Sequence, residues 1–346
     1  MTVPARQRRH LRPRRDRRVI ARPWRVWLAD NLLRGASPES LQAVLVGRGV
    51  PPDMATRGVA AAVRAPELQA AREGLADSAR EALAARLHHA LHALRGPEVE
   101  RRTLPTADEF LRHYYSTCTP VIFTDVVPRW PAFTTWSPEH LRDHYGEVEL
   151  EIEAGRAADP APDLHFEHHR HTATMAEFVA RVLAAGETND LYLIANNRNL
   201  ARPGLRPLLA DITLPPGYFD PAPGRAARCG AFWFGPAGTV TALHHDTSNI
   251  LFFQVVGRKR LRLYPPGEPT LLAHARGVYN DLDPERDPEL ADLPGHDIVL
   301  APGEALFLPV GWWHHVRALD LSISVAFNHF AWPNDFDWYK PGAPRG

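Results

Sequence analysis

The chain has 346 residues, of which 45% are hydrophobic and 23% charged, and its 40 basic side chains balance 40 acidic ones. This composition is typical of a globular protein with one catalytic domain and a smaller appendage, and it excludes a fibrous or wholly disordered chain. Two cysteines exclude a disulfide framework and favour a reducing, cytoplasmic setting. We expect no membrane association, because no apolar run approaches about 18–20 residues and no signal-peptide core follows the basic N-terminus.

Residues 1–22 are rich in arginine and proline and predict a disordered basic arm. A solvated tail is the simpler interpretation, and contact with nucleic acid is the alternative. Residues 23–99 predict a helical region, in which Ser37 and Pro38 have the types preferred at an N-cap and a first helical position. We expect this region to be a packing surface or the contact of a homodimer.

Residues 100–333 change to short apolar runs separated by turns, with helices predicted near 137–144 and 175–185. The pattern predicts a mainly β fold, a double-stranded β-helix or jelly roll, with flanking helices. Residues 265–297 predict an insertion that either covers a site or is plain surface, and residues 334–346 predict a C-terminal tail. The predicted strands are 120–123, 148–152, 191–194, 232–234, 251–256, 261–264, 298–300, 305–308 and 322–327.

The pattern His244-His245-Asp246 is the first candidate for chemistry. On a strand, His244 and Asp246 project from one face and His245 from the other. A histidine from the distant pair His314-His315 would complete two imidazoles and one carboxylate, the facial triad of non-haem Fe(II) oxygenases. Spacing alone does not choose between those two histidines, and satisfied core histidines are the alternative interpretation.

Lys259 is the second candidate, because only two of the 40 basic residues are lysines. A buried ammonium needs an anionic partner, and the distal carboxylate of an iron-chelating 2-oxoglutarate would supply one. Thr241 and Tyr192 are candidate hydroxyl partners for the same carboxylate. An accidental surface lysine is the alternative.

These motifs resemble those of the Jumonji C (JmjC) cupin-like hydroxylases, over about residues 103–332. The resemblance is carried by the run from Trp233 through Lys259 and by the run from Leu300 through His315. The phrase 316–322 is especially similar to the arginyl-hydroxylase branch, and factor-inhibiting-HIF-type asparaginyl hydroxylases share the wider pattern.

The resemblance implies Fe(II), 2-oxoglutarate and O₂ as cofactors, and it selects His314 over His315. The residues that it assigns are His244, Asp246 and His314 for iron, Lys259, Thr241 and Tyr192 for the co-substrate, and Trp233 for the substrate pocket. Besides these, we expect Asn328 to help bind the co-substrate, and Asn197 and Asn249 to contribute to the substrate pocket. The sequence departs from the family pattern at Ile250, where asparagine is usual, and at Asn328, where tryptophan is usual.

The expected function is hydroxylation of a C–H bond in a peptide or protein side chain, with release of succinate and CO₂. One alternative is a hydroxylase of a small molecule or modified nucleoside, to which the basic arm gives slight support. A second alternative is a non-catalytic, metal-binding cupin module. Histone demethylation is not expected, because the sequence contains no recognisable reader domain or zinc module.

Overall fold

The computed structural model describes residues 20–336 except 95, 97, 196 and 197. Most of the predicted basic arm, most of the predicted C-terminal tail and the predicted pocket residue Asn197 therefore lie outside the described residues. The chain divides into two compact units, Met1–Ala84 and Ala85–Gly346. Within the described residues, every helix is too short or too polar to cross a membrane.

The first unit is helical, as the sequence predicts. Its helices are α1 (Arg22–Leu33), α2 (Pro38–Gly47), α3 (Pro52–Val63) and the start of α4 (Pro66–Ala93). Ser37 caps α2 by accepting a hydrogen bond from the Ser40 amide at 3.2 Å, and Pro38 opens the helix. Leu28, Leu45 and Val59 are buried in a core of this unit alone.

Among the described residues of the second unit, seven short α-helices flank the sheets. The two predicted amphipathic helices are α7 and α9, and α9 begins with a capping box between Thr174 and Glu177. It buries Phe178, Val179 and Val182 against the sheets. The helices are α5 (Ala107–Phe110), α6 (Pro131–Thr135), α7 (Pro138–Tyr145), α8 (Phe166–His169), α9 (Met175–Ala185), α10 (Arg225–Cys229) and α11 (Pro269–Ala273).

Each predicted strand overlaps a strand of the structure. In chain order these are β1 (Glu100–Arg102), β2 (Val121–Phe123), β3 (Glu149–Ala154), β4 (Arg170–Thr174), β5 (Leu191–Tyr192), β6 (Gly230–Gly235), β7 (Val240–His244), β8 (Ile250–Val256), β9 (Lys259–Tyr264), β10 (Ala275–Arg276), β11 (Tyr279–Asn280), β12 (His296–Leu300), β13 (Ala305–Leu308), β14 (Trp313–Ala318) and β15 (Ser322–Phe327).

Two six-stranded sheets form the jelly roll that the sequence predicts. One has the order β1-β2-β13-β8-β15-β6 and the other β10-β11-β7-β14-β9-β12, while β4-β3-β5 form a small third sheet. Antiparallel neighbours far apart in sequence, such as β7 and β14, are characteristic of this closure. Phe253, Phe307 and Val325 belong to the buried core.

The predicted insertion, 265–297, extends the second sheet. It contains α11, β10 and β11, and β11 pairs with β7 through Tyr279 and His244. One edge of the sheet that carries His244 is therefore built from this insertion.

Candidate active site

An irregularity between β7 and β14 determines which side chains share the inner face of the second sheet. His314 is the cross-strand partner of His244, whereas Val316 is the partner of Thr241. Between these two pairs, two residues of β7, Ala242 and Leu243, oppose one residue of β14, His315, which is the count of a β-bulge. The bulge brings Thr241 and His244 to the same face, although strict alternation would place residues three apart on opposite faces.

His244, Asp246 and His314 converge at the end of this sheet. One potential ligand atom from each lies within 4.8 Å of the other two. The His314 Nε2 to Asp246 Oδ2 distance is 3.6 Å, and the two imidazole centroids are 4.0 Å apart. The expectation that Asp246 lies on the strand is wrong, since β7 ends at His244. Its carbonyl oxygen instead accepts a hydrogen bond from the Gly311 amide at 3.1 Å.

Hydrogen bonds to the backbone orient both imidazoles. His244 Nδ1 lies 2.8 Å from the Ala242 carbonyl oxygen, and His314 Nδ1 lies 3.0 Å from that of Trp312. Because a carbonyl oxygen only accepts, each Nδ1 carries the hydrogen and each Nε2 keeps its lone pair, as in histidine metal ligands. Burial lowers the pKa of His314, and repulsion by His244 adds to the effect. Burial raises the pKa of Asp246, against the influence of His244.

The other end of the same face is occupied by Lys259. Its strand, β9, pairs with β14 in regular register: Lys259 is the cross-strand partner of Ala318, and Leu263 is that of His314. Because Ala318 lies four residues after His314 on β14, Lys259 and His314 share one face. Its Nζ lies 3.3 Å from the Tyr192 hydroxyl and 5.3 Å from the Phe252 ring centroid.

Burial alone lowers the pKa of Lys259 to about 7. Within the described part of the chain, no carboxylate forms an ion pair with it. Tyr192 also forms a hydrogen bond with Thr241, while burial raises the pKa of its phenol. An ammonium, a phenol and a threonine hydroxyl therefore converge where an anion can be bound.

A cavity of about 330 Å³ joins the two ends. Eight of the predicted site residues line this cavity: His244, Asp246, His314, Lys259, Thr241, Tyr192, Trp233 and Asn328. Trp233 was expected in the substrate pocket. Its ring centroid lies 5.9 Å from Lys259 Nζ, so the side chain is at the lysine end of the cavity. Asn328 donates to the Ser248 hydroxyl at 3.3 Å.

Asn249 lies elsewhere than expected. Its side chain is buried and accepts a hydrogen bond from the Val310 amide at 3.0 Å, and it donates to Asn334 Oδ1 at 2.8 Å. It is not one of the described residues that line the cavity. Ile250 and Phe252 of β8 line the cavity, so the neighbouring Asn249 projects from the other side by strand alternation. Asn249 thus braces the turn that precedes His314.

Sequence reasoning missed Val278 and Tyr279, which line the cavity from the insertion. The Tyr279 ring centroid lies 5.8 Å from that of His244. Only the general tendency of insertions to cover sites pointed to this region, because a lone tyrosine between polar turns carries no periodic signal.

A buried charge cluster, also missed, holds the outer edge of β7. Asp163 Oδ2 accepts a hydrogen bond from the Ala242 amide at 2.7 Å, and Arg156 donates to the Val240 carbonyl oxygen at 3.0 Å. Arg156 is fully buried, pairs with Asp163 at 2.9 Å and also pairs with the buried Glu153. Because β11 pairs with β7 only at His244, these side chains satisfy backbone groups of the part of the edge that has no neighbouring strand.

The same cluster contacts the lysine end of the cavity. The Arg156 guanidinium lies 5.6 Å from the Tyr192 ring centroid. Burial is the main influence that raises the pKa of Glu153 to about 7, against the attraction of Arg156. The cluster therefore connects the backbone before His244 with the hydrogen-bond partner of Lys259.

The donor set fits Fe(II) and 2-oxoglutarate. Two imidazole nitrogens with free lone pairs and one carboxylate make a facial set that leaves other coordination positions open. The buried ammonium of Lys259 lacks a counter-charge within the described residues, and a dicarboxylate chelating the metal at one end would supply it.

Comparisons with known proteins agree with this geometry. The family model for the cupin-like domain matches residues 107–336. Lysine-specific demethylase JMJ30 of Arabidopsis thaliana is 32% identical over 239 residues, which cover 66% of this chain and 54% of that protein. Lysine-specific demethylase 8 of Xenopus tropicalis is 30% identical over 232 residues, or 64% and 51% of the two chains. Jumonji C domain-containing protein 5 of Drosophila melanogaster is 29% identical over 248 residues, or 66% and 59%.

The chain thus matches a little over half the length of these relatives. Two of them carry demethylase names, whereas the sequence motifs suggested the arginyl- and asparaginyl-hydroxylase branch. The expected family is confirmed, and the branch named by the relatives differs. The chain belongs to the cupin-like domain family, within its JmjC group, whose members use Fe(II), 2-oxoglutarate and O₂.

Proposed function

We propose that this chain is an Fe(II)- and 2-oxoglutarate-dependent oxygenase that hydroxylates a C–H bond of a peptide or protein side chain. The observation that carries the proposal is the position of two groups on one inner face. The donor triad of His244, Asp246 and His314 lies at one end of the cavity, and the buried Lys259 lies at the other.

In this proposal His244 and His314 bind iron through Nε2, and Asp246 binds it through its carboxylate. Lys259, Tyr192 and Thr241 hold the distal carboxylate of 2-oxoglutarate. When bound, Fe(II) supplies the activation of O₂, with 2-oxoglutarate converted to succinate and CO₂. The chain itself orients the ligands, excludes water from the lysine end and presents the C–H bond.

A peptide or protein substrate is supported by the surroundings of the metal end. Asp246 is 30% exposed, whereas Lys259 is 1% exposed, so the metal end faces outward. Ser248, Tyr279 and Asn328 line the cavity as neutral polar groups. A side chain that extends from a peptide fits an outward-facing cavity of this size better than a large free metabolite does.

The test is succinate formation by anaerobically purified, Fe(II)-loaded protein on exposure to O₂ and 2-oxoglutarate. We expect turnover that His314→Ala abolishes and that the surface control His171→Gln retains. Bound iron without succinate, in the presence of a peptide library, would favour the non-catalytic module. Turnover that survives His314→Ala would refute the site.

Removal of a methyl group from a lysine is a second candidate, favoured by the names of the relatives. Hydroxylation of an N-methyl carbon gives a product that releases formaldehyde, so both reactions share one oxidation step. Mass spectrometry of peptides distinguishes them. Gain of one oxygen atom supports hydroxylation, whereas loss of a methyl group with formaldehyde release supports demethylation.

Oxidation of a free amino acid or modified nucleoside, but of no peptide, would support the small-molecule alternative.

The setting and assembly of the chain are further proposals. Neither Cys118 nor Cys229 forms a disulfide within the described residues, which supports a reducing, cytoplasmic setting. A homodimer through the N-terminal helices is supported by Leu83, Leu87 and Leu91 of α4, which are 54–68% exposed at four-residue intervals. Light scattering of the full chain should give a dimer, and Leu87→Glu should give a monomer.

Nucleic-acid binding by the basic arm has less support, and retention of full nucleic-acid binding after removal of residues 1–19 would refute it.

A further inference from the structure

The outer face of the second sheet carries a group of side chains that the proposed reaction does not use. His315 follows His314 on β14, so its imidazole projects from the opposite face. It is 3% exposed, and its Nε2 is buried without a hydrogen-bond partner among the described residues. An unpaired imidazole nitrogen in such a place is costly unless something else binds there.

Two carboxylates from the insertion face this nitrogen. One ligand atom each from Asp283, Glu285 and His315 lies within 4.8 Å of the other two. The His315 Nε2 to Asp283 Oδ1 distance is 3.9 Å, too long for a hydrogen bond. It is a suitable separation for two atoms that share one cation, since metal–nitrogen and metal–oxygen bonds of about 2.0–2.2 Å place adjacent ligands roughly 3–4 Å apart.

The turn that carries these carboxylates is held by its own hydrogen bonds. Asp283 Oδ1 accepts from the Glu285 amide at 2.8 Å, and Asp287 Oδ2 accepts from the Asp283 amide at 2.6 Å. Both carboxylates are therefore presented to His315 on a fixed backbone. Their remaining exposure, 36% for the Asp283 side chain and 25% for that of Glu285, gives a cation an entry path.

The surrounding charges limit the choice of cation. Arg317 donates to both carboxylate oxygens of Glu285, at 2.6 Å to Oε1, and Arg286 Nε lies 3.4 Å from Asp283 Oδ2. Arg262 is the cross-strand neighbour of His315. A monovalent ion would compete poorly with these guanidiniums. One imidazole nitrogen and two carboxylate oxygens suit a divalent ion of the zinc or manganese type, which would share Glu285 with Arg317.

We propose that Asp283, Glu285 and His315 form a second divalent-cation site on the outer face of the sheet. The bound ion would fasten the insertion to β14. Since the insertion also supplies Val278 and Tyr279 to the cavity, the ion would hold one wall of the active site in place. The proposal concerns metal binding alone and does not depend on the oxygenase reaction.

The test counts zinc bound by full-length protein after removal of metals and dialysis against micromolar Zn²⁺. Zinc should also occupy the triad, so the variants are made in both the native chain and a His244→Ala background. We expect two equivalents in the native chain, one in His244→Ala and none in His244→Ala/Asp283→Asn. Asparagine can keep the hydrogen bond to the Glu285 amide while it loses the charge, so the turn is preserved.

In the His244→Ala background, Glu285→Gln should also lose the remaining equivalent of zinc. Glu289→Gln, at an exposed position of the same segment, is the matched control and should retain it. In the His244→Ala background, added Zn²⁺ should raise the thermal midpoint, and Asp283→Asn should cancel the rise. The proposal fails if no zinc remains in His244→Ala. It also fails if the remaining zinc is retained by both Asp283→Asn and Glu285→Gln, since another histidine would then hold it.

Discussion

The Nζ atom of Lys259 lies 3.3 Å from the Tyr192 hydroxyl, at the buried end of a cavity whose outer end holds His244, Asp246 and His314. A neutral phenol satisfies only part of the ammonium's hydrogen-bonding capacity and none of its charge. The chain thus keeps a destabilising group that the carboxylate of the proposed 2-oxoglutarate would convert into a binding contact.

Lys259→Met should separate stability from co-substrate binding. Removal of the buried ammonium should raise the free energy of unfolding at pH 7 by up to about 4–5 kcal/mol, since burial lowers the pKa from 10.5 to about 7 and each unit corresponds to about 1.4 kcal/mol. The same change should raise the 2-oxoglutarate dissociation constant by at least roughly a hundredfold, the effect of losing a contact worth about 3 kcal/mol.

Chemical denaturation and calorimetric titration check the two effects of Lys259→Met. Metal binding by the triad should persist, because Lys259 does not contribute a ligand atom to it. A variant that is less stable than the native chain and binds 2-oxoglutarate normally would contradict the assignment of Lys259.

The affinity for 2-oxoglutarate should fall as the pH rises above about 7. Burial lowers the pKa of Lys259 to about 7 in the chain without ligand, whereas the unfolded chain has the ordinary lysine value. Above pH 7 the side chain is mostly neutral and must take up a proton to bind a carboxylate. With one proton taken up, the dissociation constant should rise about tenfold per pH unit.

Titrations between pH 6.5 and 9, in buffers of different ionisation enthalpy, measure this proton uptake directly. Lys259→Arg stays charged throughout this range and should lose the pH dependence. Proton release on binding, or an affinity constant across the range, would exclude a neutral Lys259 in the ligand-free chain.

Asp246→Ala should abolish high-affinity Fe(II) binding, because it removes the only carboxylate of the described triad and leaves two neutral imidazoles. Its own effect on folding should be small or favourable, since burial raises the pKa of this carboxylate in the metal-free chain. Metal analysis after gel filtration, with His171→Gln as the surface control, checks the first expectation, and thermal unfolding checks the second. One equivalent of tightly held iron in Asp246→Ala would place the metal elsewhere.

Arg156→Met should destabilise the chain by about 3–5 kcal/mol, because it leaves the buried carboxylates of Glu153 and Asp163 without their cation. It should also raise the KM for 2-oxoglutarate more than it lowers kcat, since Arg156 contacts Tyr192 and the backbone of β7 but no metal ligand. Arg156→Lys should recover part of the stability and part of the KM that Arg156→Met loses. Unfolding curves and steady-state kinetics provide the measurements, and a fall in kcat with unchanged KM would refute a positioning role.

Glu153→Gln should flatten the dependence of stability on pH. The folded chain raises the pKa of Glu153 to about 7, so between about pH 4.5 and 7 the folded state binds more protons than the unfolded state. Stability from this group is therefore present below that interval and is lost as the pH rises through it, by up to about 3 kcal/mol. Unfolding free energies of both proteins at pH 5 and 8 test this, and equal slopes would contradict it.

The sequence by itself predicted the ligand chemistry, the strand-rich architecture and a role for Lys259. These predictions depend on composition, residue types and local periodicity, which are read from the chain without its fold. The motif His244-x-Asp246, the rarity of lysine and the N-cap at Ser37 could all be recognised without tertiary contacts.

The tertiary structure decided what depends on register between distant strands. Pairing of His314 with His244 places His314 on the inner face and leaves His315 for the outer face, a choice that spacing alone left open. The bulge in β7 brings Thr241 to the same face as His244, and the alternation of side chains along β8 points Ile250, and not Asn249, into the cavity. Register is set by hydrogen bonds between strands about seventy residues apart, and such bonds leave no local pattern in the sequence.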